Sequence, residues 1–587
     1  MHKRFTRLFP CLTWLRTYQR AQFSSDLIAA VIVTIMLIPQ SLAYAMLAGV
    51  SPQVGLYASI LPLMVYAIFG TSRTLSVGPV AVASLMTAAA IQNLGIENNI
   101  DYLNAAIMLA FLSGVFLILM GFFKLGFLAN FLSHPVVSGF ITASGIIIGL
   151  GQFRHILGIS ASGDNLVELT ETLVTNLGSA NATTMLLGFA ALGFLIWSRK
   201  GLKSLLIKFS APTQLVSLLP KIAPVFAVIL TSLAAYYFDL QSSGLALVGN
   251  IPSGLPTPVL PVFTDGTWVQ LIVPAILISI IGYVESVSVG RTLAAKRRQK
   301  IDSDQELIGL GSANIASAFS GGFPVTGGFS RSVVNFDAGA ETPLASFITA
   351  IGIGLAAMTL TGLLAYLPNA TLAATIIVAV SSLIDFSILK STWKYSRSDF
   401  VAVAITIVIT LLLGVELGVL SGVLISILLH LYKTSKPHIA EVGQIEGTEH
   451  FRNVERHEVT TYPGILTLRV DESLYFPNAS YLEDQVLKYI SERKNLKHII
   501  LMCTAINEID ASALEILESI NLYLQELGIG FHLSEVKGPV MDGLKKTDFL
   551  EHLNGQVFLS QHQAIDALLK RRFEQARQDP DFTDYQI

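Results

Sequence analysis

The sequence predicts an all-α polytopic membrane domain of fourteen segments in two inverted repeats of seven, followed by a small α/β domain. Three observations carry that prediction. Apolar stretches of membrane length recur through the first three quarters of the chain. Charge is segregated along it: residues 1–437 hold 24 Lys+Arg and 17 Asp+Glu, whereas residues 438–587 hold 14 and 24. Basic residues also collect in alternate loops. Over the whole chain of 587 residues, 52% are hydrophobic and 13% charged. Soluble domains carry roughly 25% charge, so a single water-soluble globule is excluded, as is disorder. Two cysteines rule out a disulfide scaffold, and a net charge of −3 gives no reason to expect a nucleic-acid partner.

A helix needs ~20 residues to cross ~30 Å of hydrocarbon. Spans are read near 27–49, 54–70, 80–92, 105–121, 131–151, 184–197 and 222–238. A second set lies near 268–290, 307–322, a short piece after Ser330, 344–366, 371–388, 400–414 and 417–431. The start imitates a secretory leader, with basic residues, an apolar run and Ala43-Tyr44-Ala45. The stretch before the apolar run is 26 residues long, however, and many spans follow, so the run is read as a retained first span.

Loop charge tests the topology independently, because cytoplasmic loops collect Lys and Arg. With the N-terminus inside, fourteen crossings place 1–26, 199–221, 291–300 and 389–399 in the cytoplasm. These contain five, five, five and three Lys+Arg, while 93–104, 239–267 and 366–370, placed outside, contain none. Arg154 is the exception. An even number of crossings puts the acidic C-terminal part in the cytosol, so the protein is expected in the cell's inner (plasma) membrane with both termini cytoplasmic. Cys11 and Cys503 would then face a reducing compartment.

Seven spans plus seven start the two halves on opposite sides of the bilayer, the inverted-repeat arrangement of many secondary transporters. In such folds the cargo meets helices broken near the midplane. The third element of the first half is Arg73-Thr74-Leu75-Ser76-Val77-Gly78-Pro79, a β-prone stretch running into Gly-Pro and then a helical pattern. Its counterpart in the second half is Gly321-Gly322-Phe323-Pro324-Val325-Thr326-Gly327-Gly328-Phe329-Ser330-Arg331-Ser332. Both read as a short extended piece followed by a helix N-terminus inside the protein, and Pro79 suits a first helical position. A helix N-terminus offers unpaired N–H groups and about half a positive charge. Two facing each other form an anion site without a metal, with Gly78, Pro79, Arg331 and Ser332 expected at it. Arg331 adds a full charge and a planar donor fork suited to oxyanions or carboxylates. The plain alternative is that Gly and Pro only kink packed helices.

Ionisable residues within spans are functional candidates. Glu285, in Gly282-Tyr283-Val284-Glu285-Ser286-Val287-Ser288, is the clearest and is assigned a proton-carrying role; an ion pair that locks two helices is the alternative. Asp337, Glu341 and Asp385 lie near span ends and are read as solvated. Gln40 and Tyr44 follow Pro39, and their i, i+4 spacing puts both on one helical face, where amide and hydroxyl can donate to an anion. Polar pairs also hold membrane helices together.

Three pieces of the chain, Pro39-Gln40-Ser41-Leu42-Ala43-Tyr44-Ala45, Thr71-Ser72-Arg73 through Ser76-Val77-Gly78-Pro79, and Pro324 through Ser332, resemble the SulP family of anion permeases. The resemblance runs from about residue 20 to the C-terminus. It implies a fourteen-segment core and gate fold, an anion held between the third and tenth segments by Gln40, Tyr44, Val80, Ser330 and Arg331, and a homodimer. It matches Glu285 to the acidic position that the family associates with cation coupling. Sodium-coupled bicarbonate members resemble an Asp followed four residues later by Thr, whereas Glu285 is followed by Val289; that favours a proton. The run Glu285 through Arg291, with Asp302-Ser303-Asp304-Gln305-Glu306-Leu307, resembles the sulfate-permease branch. The function expected is therefore sulfate uptake by proton symport with alternating access. Bicarbonate or dicarboxylate transport, anion exchange, and a receptor that binds an anion without moving it are the alternatives.

From about residue 440 the pattern changes to alternating strands and helices. Residues 464–470 and 498–502 read as strands, 481–490 and 513–524 as helices. This part resembles a STAS domain, the module of bacterial anti-sigma-factor antagonists, and a cytosolic protein partner is expected for it. The resemblance rests on Ile509-Asp510-Ala511-Ser512-Ala513-Leu514, where Ser512 falls at the antagonists' phosphorylated, regulatory position. Helix capping by Asp510 or Ser512 is the alternative. The expected organisation is a cytosolic segment 1–26, a transmembrane domain 27–436, a STAS domain 437–575 and a tail 576–587. No Walker A sequence, zinc-helix His pair or GxSxG elbow is present, so the chain is not expected to be an enzyme or to hold a cofactor or metal.

Overall fold

The computed structural model describes residues 8–577 apart from 93, 97, 131–133, 164, 209–212, 264–265 and 494. The ends of the expected N-terminal segment and C-terminal tail, the start of the span read at 131–151, and parts of the loops at 93–104, 199–221 and 239–267 fall outside the described residues. Contacts divide the chain into two compact units, Met1–Ser426 and Ile427–Ile587.

The first unit is helical and holds thirteen of the fourteen segments and the start of the last, which ends beyond Ser426. The first half contains α1 (Arg20–Leu47), a second segment broken into Pro52–Tyr57 and Leu61–Phe69, the short strand β1 (Val77–Gly78) with α2 (Ala81–Gln92), then Asn99–Phe122, His134–Gly151, Ala182–Trp197 and Thr213–Tyr237. The second half contains α3 (Ile272–Lys296), α4 (Ser303–Phe319), β2 (Thr326–Gly327) with α5 (Phe329–Asp337), then Leu344–Thr359, Asn369–Val380, Arg397–Leu413 and Val415–Ser435. Among the described residues, five stretches are long and apolar enough to span a bilayer alone, and shorter apolar helices supply others. Shortness is built in at the third and tenth positions, where each crossing is shared between an extended arm and a half-length helix.

Several boundaries depart from the expectation, among them the start of the seventh span, read at 222 and found at Thr213, and two of the departures have a local cause. Helix α1 begins at Arg20 rather than near 27, because Gln19 and Gln22 close a capping box there. The twelfth segment ends at Val380, where the Ser381 and Ser382 hydroxyls donate to the carbonyls of Val378 and Ala379. A separate amphipathic helix, Ser387–Tyr395, then carries Lys390 and Lys394. Local hydroxyl bonding competes with helix continuation, and hydropathy does not register it.

Small residues let the halves approach closely. A methyl group on Gly114 would meet the Gly311 carbonyl oxygen at 2.8 Å, and one on Gly311 would meet that of Gly114 at 2.7 Å. Asn99–Phe122 and α4 therefore pack backbone to backbone, the device expected where lipid gives helices no hydrophobic reason to associate. Two buried carboxylates brace the unit. Asp26 accepts from the amides of Glu341 and Thr342 and from the Thr342 hydroxyl. Glu306 accepts from the Tyr66 hydroxyl and from the amides of Thr71 and Ser72. Asp337 and Asp385 are exposed.

The second unit is a six-stranded mixed sheet in the order β4-β3-β5-β6-β7-β8, formed by β3 (Ile439–Gln444), β4 (Phe451–Asn453), β5 (Ile465–Val470), β6 (His498–Met502), β7 (Gly530–Ser534) and β8 (Val557–Phe558). Strands β5 to β8 run parallel, and β3 is antiparallel to β4 and β5. The near-continuous apolar runs of β5 and β6 fit strands covered on both faces. Leu466, Leu468, Ile499 and Leu501 pack against Leu482 and Val486 of Ala479–Glu492 and against Leu517, Ile520 and Leu524 of α6 (Ala511–Glu526).

Candidate anion site

The two interrupted segments meet. β1 and β2 pair antiparallel, Val77 opposite Gly327 and Gly78 opposite Thr326. The pairing is extended by the Gly328 amide donating to the Ser76 carbonyl. Neither arm could stand as an isolated two-residue strand, and side chains from neighbouring helices hold them. Asn314 of α4 donates to the Val325 carbonyl and accepts from the Val325 amide. Ser286 of α3 accepts from the Gly327 amide and lies 2.6 Å from the Thr326 hydroxyl, which donates to the Gly282 carbonyl. Asn335 donates to the Thr74 carbonyl. Every one of these bonds ties an arm to a helix, and together they aim the starts of α2 and α5 at one spot.

That spot is a tight cavity lined by Gln40, Tyr44, Val80, Glu285, Ser330 and Arg331, together with Ala379 and Ser382 of the twelfth segment and its end. Gln40 donates to the Tyr44 hydroxyl at 2.9 Å, as their shared helical face predicts. Turning the Gln40 amide over would keep that bond, since a tyrosine hydroxyl donates as readily as it accepts, and would present an NH₂ where an unpartnered buried oxygen now lies. Arg331 is 2% exposed, and Nη2 donates to the Pro79 carbonyl of the opposite repeat. Nη1 is buried with no hydrogen-bond partner. An orphaned donor on a buried cation is costly unless a ligand completes it, and an anion is the ligand that would. Two glycines make room for the guanidinium: a methyl on Gly78 would come within 2.5 Å of Nη1, and one on Gly328 within 2.5 Å of Nε.

Glu285 lines the same cavity and lies close enough to Arg331 for their charges to interact. Among the described residues no ion pair joins them. A second, larger cavity of about 260 Å³ shares Gln40, Ser330 and Ala379 with it and is also lined by Ser198 and Arg199, where the basic 199–221 segment begins.

Of the residues expected in the site, Gln40, Tyr44, Val80, Glu285, Ser330 and Arg331 converge on the cavity. Gly78 and Pro79 act one step back, the first as space for Arg331 and the second as its carbonyl anchor. Ser332 does not line the cavity; its hydroxyl donates to Gly328 and accepts from the Ser76 amide, joining the arms. In the second unit, Asp510 caps α6 by accepting from Ala513 and also accepts from the Phe476 amide, while Ser512 is exposed beside it. Ser286, Asn314 and Thr326 were not singled out in the sequence. Their only signal there is polarity inside apolar spans.

A multi-pass bundle with two half-length helices that start at a central cationic cavity defines a membrane transport protein, not an enzyme. The chain belongs to the sulfate permease family, whose profile matches residues 23–406, and it carries a STAS domain matched at residues 456–564. It is 36% identical over 578 residues to a protein named sulfate transporter 4.1, chloroplastic, of Arabidopsis thaliana, covering 96% of this chain and 83% of that one. It is 31% identical over 575 residues to high affinity sulfate transporter 2 of Stylosanthes hamata, covering 95% and 86%. Among solved structures, murine Slc26a9, described as an anion transporter in the inward-facing state, superposes with a TM-score of 0.89 at 23% identity over 98% of this chain and 95% of that one. The transmembrane domain of the cyanobacterial bicarbonate transporter BicA gives 0.58 at 22% identity over 70% and 98%.

Proposed function

We propose that this chain is a secondary active sulfate transporter that couples uptake to protons and works by alternating access. The observation that carries the reading is the placement of Glu285 and Arg331 on one cavity with no ion pair between them. Arg331 supplies a fixed cation with an open donor, and the starts of α2 and α5 supply partial positive charge; a tetrahedral oxyanion uses both. The names of the plant relatives support sulfate as that oxyanion.

Glu285 supplies what the cation does not. Moving one charge against 100 mV costs about 2.3 kcal/mol, so a dianion entering a negative-inside cell meets roughly twice that. A proton taken up by the Glu285 carboxylate from the outer side removes a negative charge beside the anion and travels with it. Released on the other side, it leaves one net negative charge moved for each sulfate and proton. The neighbouring cavity that shares Gln40 and Ser330 and reaches Arg199 supports an inward-open conformation. The loop-charge parity supports a cell inner membrane with both termini cytosolic, and the family likeness supports a homodimer with a STAS domain open to a cytosolic protein partner.

Uptake of labelled sulfate into proteoliposomes, with and without an inward proton gradient, tests the reading. Accumulation only with the gradient is expected. Flux indifferent to the gradient would indicate exchange or a channel-like path, and binding without flux a receptor. Bicarbonate or a dicarboxylate competing better than unlabelled sulfate would replace the substrate.

A further inference from the structure

We propose that a second anion site, for a phosphate monoester, lies on the face that carries the basic 291–300 segment. A cavity of about 380 Å³ is bounded there by the helix Cys11–Arg16, residues 70–73 and residues 299–302. Its volume is that of a small-molecule pocket. Two independent features point to an anionic ligand. Trp14 lines the cavity, and its Nε1, a donor with no acceptor capacity, is buried without a hydrogen-bond partner. Arg73 and Lys300 line the same space, and among the described residues neither forms an ion pair or a side-chain hydrogen bond. The opposing charge on the lining is Asp302, whose carboxylate accepts from the amides of Asp304 and Gln305 as the cap of α4. Glu306, behind the wall, is taken up by Tyr66, Thr71 and Ser72.

A phosphate monoester carries about −1.5 to −2 charge at pH 7 and three acceptor oxygens. An arginine fork, a lysine ammonium and an indole N–H together match that pattern. Arg73 stands five residues before Gly78 in the sequence, but neither Gly78 nor Arg331 lines this cavity. The site is separate from the central cavity and does not rest on the transport reading.

Full-length protein in phosphatidylcholine nanodiscs tests the proposal, with the fluorescence of Trp14 isolated by subtracting the Trp14→Phe variant. One arm titrates glycerol 3-phosphate in solution; the other places phosphatidic acid in the disc. A saturable Trp14-dependent change is expected in one arm, which identifies the source as a soluble ester or a lipid headgroup. Arg73→Gln combined with Lys300→Gln should weaken it about tenfold or more, and the surface change Lys300→Gln alone should weaken it less. Arg331→Ala should leave it intact. No Trp14-dependent change in either arm, an unchanged affinity in the double variant, or loss of the response in Arg331→Ala overturns the proposal.

Discussion

The guanidinium of Arg331 occupies the space that a side chain on Gly78 would fill: a methyl there would meet Nη1 at 2.5 Å. Gly78→Ala therefore pushes the cation off its anchor at Pro79 without touching the ligand. The expected result is a loss of sulfate affinity of about tenfold or more in a direct binding assay, with the purified protein still folded. Unchanged affinity would mean that Arg331 is held by something other than this fit.

Arg331→Lys keeps a charge and loses the fork. Nη2 is already given to Pro79, and a single ammonium on a flexible stem cannot replace both that bond and an open donor aimed at the cavity. Binding should fall about tenfold or more and fall further in Arg331→Ala. Equal affinity in all three proteins would leave Arg331 a purely structural residue.

Glu285→Gln preserves shape and removes the titrating group. Gradient-driven accumulation of sulfate should vanish while equilibrium binding and sulfate–sulfate exchange persist. Proton-driven uptake at the parent rate would end the coupling role of this carboxylate.

Asn314 satisfies both backbone groups of Val325, so Asn314→Leu strands two buried polar groups at about 1–3 kcal/mol each. The detergent-solubilised variant should melt earlier than the parent and bind sulfate more weakly. Asn314→Asp retains the acceptor for the Val325 amide and should fall between the two.

Burial pushes the Cys503 thiol up to about 12, and the nearby Glu535 carboxylate adds to it. Its thiolate fraction stays negligible through pH 7–9, so maleimide labelling of the native protein should reach at most one thiol, Cys11, with no second site appearing as pH rises across that range. Unfolding should expose both. A second native thiol reacting at pH 8 would contradict the buried placement in the STAS sheet.

What could be read in advance follows from locality. Gln40 and Tyr44 share a face because helical spacing alone decides it. The strands β5 and β6 stand out as apolar runs, and the breaks at Gly78-Pro79 and Gly327-Gly328 announce themselves through residue types that cannot continue a helix. Gly78's real duty was not legible, because it depends on a guanidinium more than two hundred residues away. The same holds for Ser332, which accepts from an amide on the other repeat and whose polarity suited a ligand equally well, while Ser286 and Asn314 bond backbone of a nearer arm that leaves the helix, where no helical spacing announces the contact. Asp510 rather than Ser512 caps α6 because the chain reaches the helix in extended geometry at that residue, which composition does not specify.

The β1–β2 ladder has a mechanical corollary. Its backbone bonds, with Arg331 latched onto Pro79, sew one repeat to the other at the socket itself. The halves cannot separate there without dismantling the place where cargo sits. Whatever sliding carries an ion across must run along seams where side chains merely touch, and the sewn socket rides along as one piece. A chain severed between the repeats should recover function only when both fragments are made together, since each alone owns half a stitch.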